Sequence, residues 1–177
     1  VKVDDERIDV EARAVANCAG LFAPRIAQET GLDAPSLLAR GSYFSLKGDA
    51  PFSRLVYPLP EPGGLGVHAT LDLSGRCRFG PDVEWLPEGT SPDAPGLYEV
   101  DAARADPFYA AVRTYYPALA DGALAPDYAG VRPKLSRETA DFQVVRRGRV
   151  LHLLGVESPG LTACLALAQE AAGMLVV

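Results

Sequence analysis

The stretch LLGVESPGLTACLALAQEAAGML, residues 153–175, decides how the end of the chain folds. A short apolar run meets glycine, serine and proline and then becomes a helical pattern with Glu170 as its one charged residue. Apolar residues spaced by three and four predict a helix over residues 161–175, with Ser158 as its cap and Pro159 in its first turn. Because nearly every helical position is apolar or small, we expect this helix to be buried on almost all sides.

The start of this helix is suited to a flat or anionic ligand. A helix N-terminus carries about half a positive charge, together with N–H groups that have no helical partner. Gly155 and Gly160 would allow a ligand to approach the backbone closely. A helix that is only well capped is the commoner arrangement in proteins, so both interpretations stay open here. Val156 stands where the nucleophile elbow of serine hydrolases requires glycine, which argues against Ser158 as a nucleophile.

The rest of the chain contains more strand patterns than helix patterns. Strands are expected at residues 13–18, 42–46, 54–57, 65–71, 76–79, 128–135, 142–145 and 150–154. Two further helices are predicted over residues 22–29 and 101–116, the second capped by Asp101. Many strands with few, separated helices predict an α+β fold with a largely antiparallel, mixed sheet and flanking helices.

Strand alternation predicts one polar sheet face. If the central strands share a sheet, this face gathers Tyr43, His68, Arg132 and Lys134. Such a set is suited to the floor of a pocket that holds an acid, whereas each residue by itself is more simply explained as solvent-facing. Gly66 and Gly130 lie two residues before His68 and Arg132, where a ligand could approach the backbone.

Composition excludes some classes of function. The chain has 177 residues, 48% of them hydrophobic, which is enough for a sizeable core. A net charge of −6 argues against a nucleic-acid partner, and no apolar run is long enough to predict a membrane span.

The cysteines and the second histidine are interpreted as structural. Cys18, Cys77 and Cys164 are odd in number and lack metal-ligand spacing, so we expect reduced thiols, no metal site and a cytoplasmic protein. His152 lies between two leucines on an apolar strand, which favours a hydrogen-bonded structural histidine.

Five blocks, taken in order, resemble the FAD-dependent oxidoreductases of the D-amino-acid oxidase superfamily, and above all their L-2-hydroxyglutarate dehydrogenase/oxidase branch. The blocks are VANCAGLFAPRIA (15–27), GSYFSL (41–46), RLVYPLPEPGGLGVHATLDLSGRCRFGPDVEW (54–85), YAGVRPKL (128–135) and GVESPGLTACLALA (155–168). The resemblance implies FAD contacts from Ala19, Gly20, Gly155, Glu157, Ser158, Pro159, Gly160, Leu161 and Thr162. The helix start would then stabilise negative charge on the reduced flavin ring.

The resemblance also implies a mechanism in which hydride leaves the Cα of an acid substrate. Arg132 would bind the substrate carboxylate, with Lys134 or Tyr43 at a second anionic group. A 2-hydroxy acid must also lose its hydroxyl proton, and His68 is the candidate base. An amino-acid or glycine-type oxidase on the same scaffold is an alternative, since a free amine needs no such base. A non-catalytic fragment that binds a small acid or forms a homodimer is another.

One family feature is missing from the sequence. The Gly-x-Gly-x-x-Gly turn that binds the FAD pyrophosphate does not occur between a predicted strand and a helix. We therefore expect the C-terminal half of a longer polypeptide, inactive by itself, which binds FAD weakly or not at all without its N-terminal half. In this interpretation residues 1–39 return to the FAD domain, residues 40–148 form the substrate domain, and residues 149–177 complete the FAD domain.

Overall fold

The computed structural model describes residues 2–3, 6–59 and 66–175. Its strands are β1 (Lys2–Val3), β2 (Glu6–Arg7), β3 (Val15–Asn17), β4 (Leu37–Leu46), β5 (His68–Leu71), β6 (Cys77–Gly80), β7 (Glu84–Trp85), β8 (Leu124–Lys134), β9 (Gln143–Arg147) and β10 (Val150–Leu154). Its helices are α1 (Ala23–Glu29), α2 (Ala105–Arg113) and α3 (Gly160–Leu175), with 3₁₀ turns at Gly20–Phe22 and Ala102–Arg104. These elements confirm the α+β class.

The chain forms two compact units. The terminal unit combines residues 1–35 with residues 141–177, and the central unit comprises residues 36–140. Strand β9 belongs to the terminal unit because it pairs with β10 along its whole length. The division therefore brings the two ends of the sequence into one body.

The terminal unit is built on a three-stranded mixed sheet. Strand β10 lies in the middle, parallel to β3 and antiparallel to β9. Leu151 and Leu153 of β10 pack with Ala171 of α3, and this small core is extended by Val144, Val156, Leu167 and Leu175. Strands β1 and β2 form a separate antiparallel pair.

Helix α3 is far more exposed than the sequence predicts. Gly160 and Ala171 are buried, but Leu161 is 87% exposed and Leu165 is 83% exposed. The expectation of a helix buried on nearly all sides is wrong for this chain, because one sheet covers one face and no described element covers the other. The apolar composition of α3 therefore exceeds what its own contacts require.

The cap of α3 also differs from the prediction. The carbonyl of Pro159 accepts the first helical hydrogen bond, from the N–H of Ala163 at 3.0 Å. The helix thus begins at Gly160, so Pro159 and not Ser158 occupies the capping position.

The central unit is a five-stranded antiparallel sheet around β4. Strand β8 pairs with β4 from end to end, while β6 and β7 share the opposite edge of β4 and β5 extends the sheet beyond β6. Helix α2 covers one face, where Phe108 and Val112 pack on Phe44 and Phe79. The other face is the polar one.

Several predicted elements change in extent. Strand β4 begins at Leu37 instead of residue 42, and the strand predicted at 54–57 is reduced to a single bridge between Val56 and Ala69. The helix predicted over 101–116 is split into a 3₁₀ turn and α2, although Asp101 does cap it by accepting from the N–H of Ala103. The first residue of the strand predicted at 65–71 lies outside the described residues.

Candidate functional site

The strand registers bring the predicted polar residues onto the sheet face that is opposite α2. Phe44 pairs with Phe79 on the covered face, so the residues next to them in sequence point to the other side. We call that side the polar face; its side chains include Tyr43, Tyr57, His68, Arg78, Asp127, Tyr128, Arg132 and Lys134.

A β-bulge in β8 adds a residue to the polar face. Ser42 pairs with Ala129 but Phe44 pairs with Pro126, so Asp127 and Tyr128 together oppose Tyr43. The Tyr128 ring stacks on Tyr43 with centroids 4.5 Å apart, and Asp127 accepts a hydrogen bond from Arg78. Simple alternation predicts Tyr128 on this face, but it does not predict Asp127.

Tyr43 remains a neutral hydrogen-bond donor at physiological pH. Burial and the neighbouring Tyr128 together raise the pKa of its phenol to about 12, although the positive charge of Arg132 opposes the shift. The Nη2 atom of Arg132 lies beside Gly41, two residues from Tyr43 on β4, so the guanidinium and the phenol occupy neighbouring positions of the same face.

His68 is positioned by two unpredicted neighbours. It is 5% exposed and stacks on Tyr57, whose ring centroid lies 3.8 Å away and which is itself 59% exposed. His68 also pairs with Gly80, where a Cβ atom would lie 2.7 Å from Cδ1 of Tyr43. Gly80 therefore lies between His68 and Tyr43 in close contact.

Arg132 is a half-buried arginine of the central unit without an acidic partner among the described residues; Arg54 and Arg137 also form no such ion pair, but both are exposed. Arg40, Arg78 and Arg104 each bond to a carboxylate, as do Arg76 and Arg113. No carboxylate among the described residues pairs with Arg132. Its Nη2 atom leans over Gly41, where a Cβ atom would lie 3.1 Å away. The guanidinium is therefore held on the polar face with its hydrogen-bonding capacity available to a ligand.

Lys134 is the third residue predicted to bind the substrate, after Arg132 and Tyr43. Lys134 pairs with Leu37, six residues along β4 from Tyr43 and therefore about 20 Å away along the strand. Lys134 thus shares the polar face but lies at its far end.

The two glycines predicted to leave room for a ligand differ in the space beside them. A Cβ at Gly130 would meet nothing within 4 Å, so this position is open, whereas a Cβ at Gly66 would lie 2.9 Å from Pro58. The space beside Gly66 is therefore filled by the chain itself.

The terminal unit contains an apolar cavity of about 480 Å³. It is lined by Ala16, Cys18, Gly20, Leu153, Val156, Gly160, Cys164, Leu167, Ala168, Ala171, Ala172 and Leu175. The cavity thus adjoins the parallel strands β3 and β10 and the first turns of α3, and ligands of open α/β sheets bind at the carboxyl ends of such strands. Of the nine residues predicted to contact FAD, Gly20 and Gly160 line it directly, and the others flank them in sequence.

The start of α3 carries donors without partners. Among the described residues, the N–H groups of Leu161 and Thr162 have no acceptor, whereas Gly160 donates to the carbonyl of Glu157. Gly155 has a φ of 66°, a conformation that favours glycine, and a Cβ at Gly160 would lie 2.6 Å from Val156. The chain's own geometry explains both glycines, and the two free donors remain for a ligand.

Comparisons with known proteins agree on one family. The family described as "DAO: FAD dependent oxidoreductase" matches residues 1–174. Mitochondrial L-2-hydroxyglutarate dehydrogenase of Arabidopsis thaliana is 44% identical over 95% of the chain, and glycerol 3-phosphate dehydrogenase of Caloramator mitchellensis is 29% identical over 86%. The chain spans only 38% and 32% of the lengths of these two proteins.

A solved structure supports the fold. FAD-bound, dithionite-reduced L-α-glycerophosphate oxidase of Mycoplasma pneumoniae aligns with a TM-score of 0.65 over 92% of this chain and 42% of its own. At 22% identity this likeness concerns the fold alone.

The expected cytoplasmic location is corrected by the comparisons. The Arabidopsis relative, which matches nearly the whole chain, is a mitochondrial protein. Reduced cysteines do not distinguish these compartments, because both can keep thiols reduced. Within the described part of the chain, no helix is long and apolar enough to cross a membrane.

Proposed function

Because this chain belongs to the DAO family of FAD-dependent oxidoreductases, we propose that it supplies the acid-binding face and part of the cofactor site of an enzyme that oxidises a 2-hydroxy acid. A substrate like L-2-hydroxyglutarate is favoured, since that is the substrate for which the Arabidopsis relative is named. The observation that carries the proposal is Arg132, a half-buried guanidinium on the polar face with no carboxylate partner among the described residues.

Arg132 binds the carboxylate next to the reacting carbon. A guanidinium is planar and donates two parallel hydrogen bonds to a carboxylate, so it fixes the orientation of the acid as well as its position. The phenol of Tyr43 keeps its proton and donates a hydrogen bond to the second anionic group of the substrate. Lys134 is the more distant candidate for that group.

His68 accepts the hydroxyl proton of the substrate. Oxidation of a 2-hydroxy acid to a 2-keto acid removes a hydride from Cα and a proton from the hydroxyl, and neutral imidazole is suited to take the proton. Tyr57 keeps the ring of His68 in one orientation by stacking on it. The proton therefore stays on the protein when the keto acid forms.

The terminal unit holds part of the cofactor. Its apolar cavity is suited to a flat ring, and the free N–H groups of Leu161 and Thr162 suit a ring edge that gains negative charge. When bound, FAD supplies the acceptor for the substrate hydride. The pyrophosphate-binding glycine turn is absent from this sequence, so we assign that role to the part of the relatives' length that this chain does not span.

Substitution of Arg132 in the flavin-loaded enzyme that contains this chain tests the proposal. Arg132→Met should lower kcat/KM for L-2-hydroxyglutarate roughly 100-fold, the cost of losing two charge-assisted hydrogen bonds, and Arg132→Lys should lie between. Arg54→Met is the matched control, because Arg54 is an exposed arginine of the same unit that also has no acidic partner among the described residues. A kcat/KM within threefold of the wild type in Arg132→Met would exclude this role.

A further inference from the structure

Three residues of the terminal unit form a hydrogen-bond network that the proposed mechanism does not use. Asn17 on β3 and His152 on β10 are neighbours in the parallel register, and both are buried. The side-chain nitrogen of Asn17 lies 2.9 Å from Nδ1 of His152, and the hydroxyl of Thr30 lies 3.0 Å from Nε2. The prediction of a hydrogen-bonded structural histidine at 152 is therefore confirmed, and both ring nitrogens have partners.

The partners of Asn17 fix the direction of every hydrogen bond in this network. The Nδ2 group of Asn17 donates to the carbonyl of Ala23 at 2.9 Å, while its Oδ1 accepts from the N–H of Ala19 at 3.3 Å. A flipped amide would set two acceptors against each other at Ala23 and two donors at Ala19. The Asn17 amide therefore faces His152 with an N–H, and Nδ1 of His152 must accept.

Thr30 fixes the proton on the other nitrogen of His152. Its hydroxyl donates to the carbonyl of Ala27 at 2.7 Å, so its oxygen accepts from Nε2–H of His152. The ring is thus neutral, with its single proton on Nε2. A second proton on Nδ1 would face the N–H of Asn17, which the surrounding bonds prevent from turning.

The network holds the segment that lines the cavity. Asn17 bonds to Ala19 and Ala23, on the two sides of the 3₁₀ turn at Gly20–Phe22, and Cys18 and Gly20 line the cavity wall. If the Asn17 amide loses its acceptor at His152, the turn keeps fewer of the contacts that define its position.

We propose that Asn17, His152 and Thr30 are positioning residues for the cofactor-binding turn at Ala19–Gly20, and that protonation of His152 loosens this turn and lowers the affinity for FAD. The inference rests on the proposed function, in which this turn contacts the cofactor. The three residues act through the backbone of the turn.

The electrostatic surroundings agree with a neutral ring. Burial lowers the pKa of His152 below the usual histidine value. The charged residues on the elements packed around it are Arg25 and Glu29 on α1, Arg146 and Arg147 on β9, and Glu170 on α3, and all of them are exposed. Strand β3 carries no charge. The folded state therefore binds this proton less readily than the unfolded chain. The contribution of neutral His152 to the free energy of unfolding is fully present above about pH 6.5 and is lost as the pH falls towards the lowered pKa of the folded state.

FAD affinity as a function of pH tests the inference in the enzyme that contains this chain. The dissociation constant should rise roughly tenfold from about pH 7.5 to about pH 5 in the wild type. His152→Asn places an amide oxygen near the position of Nδ1 and cannot titrate, so its affinity should change less than twofold over this range. Glu170→Gln is the matched control, since Glu170 is an exposed titratable residue of the terminal unit outside this network, and the variant should keep the wild-type pH profile of FAD affinity.

Hydrogen exchange of the cofactor-free enzyme provides a second readout that does not depend on FAD. After correction for intrinsic rates, residues 18–23 should exchange faster at the lower pH in the wild type and equally at both pH values in His152→Asn. An unchanged pH profile of FAD affinity in His152→Asn would overturn the inference and leave the proposed function intact. An enzyme that binds no FAD at any pH would contradict the proposed function, and exchange of residues 18–23 would still decide whether His152 holds the turn.

Discussion

Gly41 and Gly130 face each other across β4 and β8, and the space beside them differs. A Cβ at Gly41 would lie 2.8 Å from Cβ of Pro81 and 3.1 Å from Nη2 of Arg132, whereas a Cβ at Gly130 would meet nothing within 4 Å. Neither glycine has a positive φ, so backbone strain does not separate them. The position of Arg132 therefore depends on the absence of a side chain at Gly41 and not at Gly130.

This pair of glycines provides a prediction with its own control. Gly41→Ala should displace the Arg132 guanidinium and lower kcat/KM for the acid by about tenfold, a misplacement effect. Gly130→Ala should leave kcat/KM within twofold. Steady-state kinetics measure kcat/KM for both variants. Equal losses of kcat/KM in Gly41→Ala and Gly130→Ala would show that the position of Arg132 does not depend on the space at Gly41.

Tyr43 provides a prediction about substrate choice. Tyr43→Phe keeps the stack on Tyr128 and removes the phenolic donor. We expect kcat/KM to fall roughly 10- to 100-fold for a 2-hydroxy acid with a second carboxylate and to stay nearly unchanged for one without it, since the loss of one hydrogen bond to a charged group costs roughly 1.5–3 kcal/mol. An equal fall for both substrates would assign Tyr43 to the reacting carboxylate or to packing.

For single residues, the sequence predicts which side chains share the polar face but not which of them contact one another. Alternation on three strands is enough to gather Tyr43, His68 and Arg132, because a strand period of two leaves no other side for them. It cannot predict the bulge at Asp127, since a bulge depends on how two strands distant in sequence align. Tyr57 is missed although a strand is predicted at residues 54–57, because the sequence does not show that this segment aligns with β5 through the bridge between Val56 and Ala69.

Helix α3 has one packed face and one exposed apolar face. Leu151 on β10 is fully buried beneath it, while Leu165 on α3 is largely exposed. The periodicity of the sequence predicts the helix correctly. It cannot predict which face of the helix is packed, because almost every position is apolar and no polar face marks the side that contacts solvent. An apolar helix face can therefore be assigned as buried only when the element that covers it is known.

The two leucines provide a matched test of this packing. In this chain, Leu151→Ala should lower the free energy of unfolding by about 3 kcal/mol, the usual cost of a cavity in a core. Leu165→Ala should change it by less than about 0.5 kcal/mol, as is usual for exposed positions. Urea denaturation measures both, and a large loss in Leu165→Ala would mean that the exposed face is covered.

On the scale of the whole molecule, residues near both ends of the sequence build the terminal unit. Strands β3 and β10 pair in parallel although Asn17 and His152 are 135 residues apart in sequence. No local pattern encodes such a pairing, so the sequence reveals it only through the resemblance to a family. Among the paired strands of the central unit only β5 and β6 are close in sequence, and β4 pairs with strands up to about 90 residues away, so alternation predicts which side chains share a face but not the order of the strands.

The central claim is that this chain carries the substrate-binding residues of a flavoenzyme for a 2-hydroxy acid. Anaerobic mixing of the flavin-loaded enzyme with L-2-hydroxyglutarate, glutamate or glycerol 3-phosphate, followed by the loss of visible flavin absorbance, tests it most directly. We expect L-2-hydroxyglutarate to bleach the flavin fastest, and Arg132→Met to slow that bleaching roughly 100-fold at low substrate concentration. Faster bleaching by glutamate or by glycerol 3-phosphate, or undiminished bleaching in Arg132→Met, would contradict the claim.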